Sequence, residues 1–310
     1  MLPLITKKRI DKYRLPDTNF LAILDGVYHR ELSQLPQEVE VVDNTICITA
    51  NTRSTKPIHL LFMTSRDYRS NWNISVAAGS NVTLFEEHVS LEGSNHIVQI
   101  DSLIKIGENS QLHHYRWGIA MAQCTINTEI MQKHASKVDR YFIHRETENF
   151  RETLSIKLAE TGAAISIFGI SFLQSDQVAK NKTLVEHCQP GCTSHVMVKS
   201  VLDDEGIHDF DCRIKIYPDA AKSKAEVINK NLLLSDRATA KSSPELEIYN
   251  EDVLCKHGAT FGSPDQEAIF YLRSRGIGQE EAIKILTTAF ANEVFELFPI
   301  SLPSLRGAGV

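Results

Sequence analysis

No apolar run in this 310-residue chain approaches the ~18 residues that a membrane-spanning helix needs. At the N-terminus, MLPLITKKRIDKYRL, the apolar part is too short for a secretory h-region, and charges follow at once. The expected compartment is therefore the cytoplasm, where the 6 cysteines stay reduced. Their even number is not evidence for disulfides in a chain of this length. A basic excess is also missing. Lys and Arg number 33 against 39 Asp and Glu, a net charge of −6. That balance argues against non-specific binding to nucleic acid or to an anionic membrane. There is no GxxxxGK[ST], no GxGxxG after a strand, no GxSxG and no HExxH, so nucleotide-dependent chemistry is not expected within the chain. Amphipathic helical periodicity is nearly absent from about Val39 to Leu234.

Hydrophobic residues make up 42% and charged residues 23%, enough apolar content for a real core. From Val39 onward, short period-two alternations recur, such as Ile46-Cys47-Ile48, Val82-Thr83-Leu84-Phe85, Leu154-Ser155-Ile156-Lys157-Leu158 and Ile214-Lys215-Ile216-Tyr217. A theme of apolar strand end, small polar turn and new strand begins at Val76, Ile106, Leu158 and, degenerately, Ile216. One period of roughly 25–30 residues, or twice that period, covers these gaps, and this is the range of solenoid repeats. A coil of that size made of short strands is a β-helix. A β-sandwich is the rival, but it gives the turns no common register. The expected fold is mainly β, with a short N-terminal segment (1–38), a β-helix core (39–260) and a C-terminal helical domain (261–310).

At residue 263 the period changes. Ser263 reads as an N-cap, with Pro264 at the first helical position and Gln266 at the third; the helix should run to Arg275 and stop at Gly276. A second helix should run from Gln279 to about Leu297, ended by Pro299, with a stripe of Ala282, Ile285, Leu286, Ala289, Phe290 and Val294. Such a hairpin needs the solenoid or a partner to pack on.

Four constellations could carry chemistry. Cys255 and His257 stand two apart, so a strand puts both on one face with Lys256 opposite. Thiol and imidazole are both metal ligands, yet a metal or iron–sulfur centre needs about four, so the pair is half a site. From the pair alone the plain reading is a buried Cys and a hydrogen-bonded His. His187, Cys188, Cys192 and His195 match a zinc site by number, but not by the spacing of separated knuckles. The acids from Asp203 to Asp211 crowd a Gly turn; they read as a solvated turn, with the carboxylate pair of a β-helix lyase or hydrolase as the alternative. His113-His114-Tyr115-Arg116 alternates between strand faces and cannot form one site without a bulge.

One further pattern is long and ordered. It runs through Pro190-x-Cys192-Thr193-Ser194, Asn231-Leu232-Leu233-Leu234-Ser235 and Pro244-Glu245-Leu246-Glu247-Ile248-Tyr249. It continues through Asp252-Val253-x-Cys255-x-His257-Gly258-Ala259-Thr260 and Phe270-Tyr271-Leu272-Arg273-Ser274-Arg275-Gly276-Ile277. Over roughly residues 183–298 the chain resembles the SufD family, scaffold subunits of the SufBCD complex that builds iron–sulfur clusters. The SufB family carries a glutamate-bearing EHEA-type motif where this chain has Lys256-His257-Gly258-Ala259, which favours SufD. The resemblance implies a right-handed parallel β-helix with a C-terminal helical domain and no turnover of its own. It also implies pairing with a SufB-like chain, docking of a SufC-like ABC ATPase on the C-terminal helices, and a homodimer as an option in isolation. A transient iron–sulfur cluster, shared with the partner, would lie at His257 with Cys255 close by; the isolated chain would bind none. The resemblance reverses the plain reading for these two residues alone. The family's longer N-terminal helical region is shortened here.

Overall fold

Period-two alternation becomes strand because each rung of the fold has an inside and an outside. In Asn149–Leu158, Phe150, Leu154, Ile156 and Leu158 are buried while Arg151, Thr153 and Lys157 are exposed. The computed structural model describes residue 10 and residues 12–91, 96–118, 123–145 and 148–298. Its strands are β1 Asn19–Leu24, β2 Val27–Tyr28, β3 Val39–Val42, β4 Thr45–Ile48, β5 Ile58–Thr64, β6 Tyr68–Asn71 and β7 Asn73–Val76. Longer strands follow: β8 Asn81–Ser90, β9 Ile97–Ile106, β10 Gln111–Trp117, β11 Gln123–Gln132, β12 Lys137–His144, β13 Asn149–Leu158 and β14 Ala164–Leu173. The last are β15 Val178–His187, β16 Thr193–Leu202, β17 Ile207–Ile216, β18 Lys224–Leu233, β19 Thr239–Ile248 and β20 Leu254–Gly262, then helices α1 Gln266–Ser274 and α2 Gln279–Phe295.

Consecutive strands lie in different sheets. One sheet orders its strands β2-β1-β5-β8-β10-β12-β14-β16-β18-β20 and the other β19-β17-β15-β13-β11-β9-β7-β4-β3. Apart from β1 with β2 and β3 with β4, the pairings are parallel. This is a parallel β-helix of about 7 turns, and the antiparallel sandwich is set aside. β1 pairs with β5 in the first sheet, so the sheet already begins within residues 1–38.

The repeat is visible at one corner. Asn51, Gly79, Asn109, Ala135, Gly162, Gly191 and Lys222 all have positive φ. Each donates its N–H to the next rung: Gly79 to Glu108 O at 2.9 Å, Ala135 to Thr161 O at 3.0 Å, Gly162 to Pro190 O at 3.1 Å. The residue after each corner is small and faces in, from Ser80 and Ser110 to Ser136, Ala163 and Cys192. The doubled gaps in the sequence are filled by the corners at Ala135 and Gly191.

The interior is filled chiefly by Val, Ile, Leu and Phe from both sheets. Each such side chain, fully buried, contributes about 1.5–3 kcal/mol. Outside the first sheet, a row of Phe85, Tyr115, Tyr141 and Phe168 is covered by α2 and Phe298, whose ring meets Tyr141 at 4.8 Å. This cover explains why β14 and β16 bury both faces. Lys199 anchors the helix. Its fully buried Nζ donates to Phe290 O at 2.6 Å, lies 4.1 Å from the centre of the Phe290 ring and pairs with Glu293, which also takes Lys230 at 2.7 Å.

Both helices form near the expected places, with two corrections. The cap of α1 is Asp265, whose carboxylate accepts from Glu267 N at 3.0 Å, not Ser263. An aspartate next to the first turn satisfies an orphan N–H directly, and the residue before a proline avoids helical geometry. Gly276 ends the turn with φ +88. The buried stripe of α2 is Ala282, Thr287, Ala291 and Val294, while Ile285 and Ala289 face solvent, because the small side chains allow close approach to the sheet. Pro299 lies outside the described residues. Among the described residues no helix is long and apolar enough to cross a membrane.

Gly169 tests the packing. A Cβ there would come within 2.0 Å of the Phe142 ring on the neighbouring rung. Gly169→Ala should lower stability by about 1–3 kcal/mol in urea denaturation through overpacking; an unchanged midpoint would contradict this core.

Candidate functional site

The last rung has no successor among the described residues. β19 and β20 each have one neighbour in their sheets. The inward positions of β19, namely Ala240, Ser242, Pro244 and Leu246, are only half-buried, although their register partners His208, Phe210, Cys212 and Ile214 are fully buried. Ile248, Tyr249, Leu254 and Phe261 are exposed at 42%, 58%, 69% and 52%. A bare sheet edge with large apolar side chains leaves unpaired backbone groups and apolar surface in water.

Cys255 and His257 lie on β20, in register with the buried, inward-facing Ala225 and Val227. The shared face expected from spacing is therefore present, and Lys256 is opposite, paired with Glu226 at 2.6 Å. Cys255 packs partly on the core, and burial pushes its thiol up. His257 is exposed, and its Nδ1 lies 3.1 Å from Pro244 O. A carbonyl only accepts, so Nδ1 is the donor in this contact, and in the neutral ring that leaves the lone pair on Nε2. Among the described residues no group of three or more His, Cys, Asp or Glu could hold a metal ion. Imidazole and thiol are donor types that suit iron or a cluster, but two donors fall short of the about four such a centre needs.

The other constellations separate. His187 and Cys192 face in, with His187 2.8 Å from Ser194 Oγ, whereas His195 lies outside, against the Phe168 ring and 3.7 Å from Glu226. Cys188 is only half-buried and donates to Glu186 O. Burial pushes the Cys188 and Cys192 thiols up. The structure thus does not gather these four as a zinc site. Among the acids, Asp204 holds a turn by accepting from Ser175 N at 3.2 Å, and Glu205 pairs with Arg237 at 2.9 Å. Asp209 and Asp211 are in register with Lys180 and Lys182, as in a solvated charge ladder. His113 sits outside with Asp139 at 3.2 Å, while His114 and Arg116 turn in, as the alternation requires.

Sequence reasoning missed what His114 and Arg116 join. Glu152 lies between two fully buried guanidinium groups, Arg116 at 2.7 Å and Arg140 at 2.6 Å. Arg140 also donates to His114 Nδ1 at 3.1 Å, and His114 Nε2 donates to Glu86 at 2.7 Å. Asn181 links Glu152 to His208, at 3.2 Å on each side. Nearer the open end, Asn231 bonds Ser200, Asn229 and the carbonyl of Thr260 on β20. Burial alone would raise the Glu152 carboxyl, but Arg116 and Arg140 hold it down at about 2. Burial depresses His114 and His144 and brings His187 and His208 down to about 4. The signal in the sequence was parity: Arg116, Arg140 and Glu152 share the inward phase of Leu112, Val138 and Leu154.

Comparison with known proteins supplies a family. Residues 64–290 match the model of the SufBD core domain of the SUF system of iron–sulfur cluster assembly. The iron–sulfur cluster assembly protein SufD of Escherichia coli is 29% identical over 298 residues, covering 92% of this chain and 68% of the relative. A SufBD family protein of Synechocystis is 27% identical over 84% of this chain and 61% of its own length, and one of Mycobacterium leprae is 29% identical over 51% and 42%. The chain thus spans about two thirds or less of these curated relatives.

The buried histidines set an acid limit on the fold. For His187 and His208 the folded value of about 4 lies below the ordinary 6.5, so the unfolded chain takes up the proton first. Their stabilisation is complete above about pH 6.5 and declines as pH falls towards 4. Between pH 6.5 and 5 each should cost about 2 kcal/mol. Urea midpoints measured at both pH values should fall accordingly, and coincident curves would contradict neutral buried imidazoles.

Proposed function

The chain belongs to the SufBD core-domain family of the SUF iron–sulfur cluster assembly system, and from that premise we propose that it is a non-catalytic scaffold subunit. Its last rung meets a SufB-like β-helix chain, and a nascent cluster is held between them. The observation that carries this reading is the coincidence of an incomplete rung with an incomplete ligand set. β19 and β20 end their sheets, and Cys255 and His257 stand on that same edge. A partner that continues the sheets brings its own donors to the same place. His257 is the ligand from this chain, and Cys255, half-buried with its thiol pushed up by burial, lies beside it. The cluster is cargo, assembled at the interface and passed on.

The α1–α2 hairpin suits a second partner, a SufC-like ABC ATPase. Phe270 and Tyr271 on α1 are exposed at 75% and 58%, while α2 is fixed to the solenoid through Lys199. ATP hydrolysis then belongs to that subunit. The working compartment is the cytoplasm. Nothing about the ladder of acids around Asp203 to Asp211 favours a lyase or hydrolase.

Co-expression tests this reading. The chain should draw down a SufB-like chain and a SufC-like ATPase at native levels. His257→Ala should leave the urea midpoint within about 0.5 kcal/mol, as expected of an exposed position. It should lower cluster formation on the complex by about tenfold or more. A chain that purifies alone would overturn the reading.

A further inference from the structure

We infer that the backbone carbonyl of Pro244 is a positioning group for His257: it fixes the imidazole as the Nδ1–H tautomer and reserves Nε2 for a ligand. The contact joins the two sheets across the open mouth of the solenoid, since Pro244 ends one sheet on β19 and His257 ends the other on β20. The choice of proline has a physical reason. Among the described residues no strand lies beyond β19, so a backbone N–H pointing off the edge meets no strand there. Proline removes that donor and keeps the carbonyl, and edge strands are where proline is tolerated. The one acceptor left at residue 244 is taken by the His257 ring at 3.1 Å.

Both sides of the contact are held. On β19, Pro244 is in register with the buried Cys212, and the adjacent Glu245 is tied to Arg213 at 2.7 Å. Glu247 adds a second contact to Arg213 at 3.1 Å. On β20, Cys255 packs on the core and Lys256 is pinned by Glu226. The ring therefore hangs between two fixed strands. A ligating histidine usually donates its other N–H to a carbonyl or carboxylate, which sets ring orientation and raises the basicity of the ligating nitrogen. Here that donor–acceptor pair forms within this chain, before any partner arrives. The ligand half of the inference rests on the scaffold reading above, whereas the tautomer does not.

Long-range nitrogen–proton NMR of the full chain, labelled at histidine, reads the tautomer directly. The ratio of the Nδ1–H to the Nε2–H form of His257 should exceed that of an unconstrained histidine by about fivefold, the factor that one hydrogen bond of ordinary net strength sustains. Pro244→Ala, which keeps the carbonyl, should leave that ratio unchanged. A backbone ester between residues 244 and 245, which weakens the same carbonyl as an acceptor, should shift the ratio towards the Nε2–H form. A predominant Nε2–H form in the unmodified chain, or a ratio indifferent to the ester, overturns the inference. Because these spectra need no cluster, failure of the tautomer lock is separable from failure of the ligand role, which the His257→Ala complex reports.

Discussion

A solenoid is held together by its neighbours, rung upon rung, so its ends are where its physics is unfinished. Strands inside either sheet order have hydrogen-bonded partners on both sides and stacked side chains above and below, whereas β6 lies off that order and pairs with β9. β19 and β20 have these on one side only. Their inward residues, which would be core on any other rung, are half-buried or exposed. The place of the candidate site, the proposed partner and the proposed role of the Pro244 carbonyl all rest on that open edge.

The same stacking explains the charged interior. Arg116, Arg140 and Glu152 would be costly in isolation, but rung register places the carboxylate between both guanidinium groups. These two ion pairs form in one register and break in a slipped one, so they favour that alignment of the rungs. On the outside, Lys199 does related work for α2, placing an ammonium against a helix carbonyl and the carboxylate of Glu293.

Much of the fold was legible because it is written locally. Period two gave the strands, and corners marked by Gly79, Asn109 and Gly162 gave the repeat. Ala135 hides its corner and Lys222 shows it only degenerately, since neither residue type favours the positive φ that both adopt. The interior charges escaped because 36 positions separate Arg116 from Glu152 in sequence, and only the register joins them. The site divides similarly. Spacing alone put Cys255 and His257 on one face, whereas the Pro244 carbonyl belongs to a strand of the other sheet and leaves no local trace. Asp265 displaced Ser263 as the helix cap by a competition between neighbours that sequence leaves balanced.

The central claim is that the last rung is completed by another chain. Amide hydrogen exchange across β19 and β20, with and without a SufB-like partner, tests it most directly. Unpaired edge amides exchange quickly, and added strands protect them. The account predicts that protection rises at Thr239–Ile248 and Leu254–Gly262 when the partner is added, with the middle rungs unchanged. Protection gained elsewhere, with these two strands still exchanging as in the isolated chain, would contradict it.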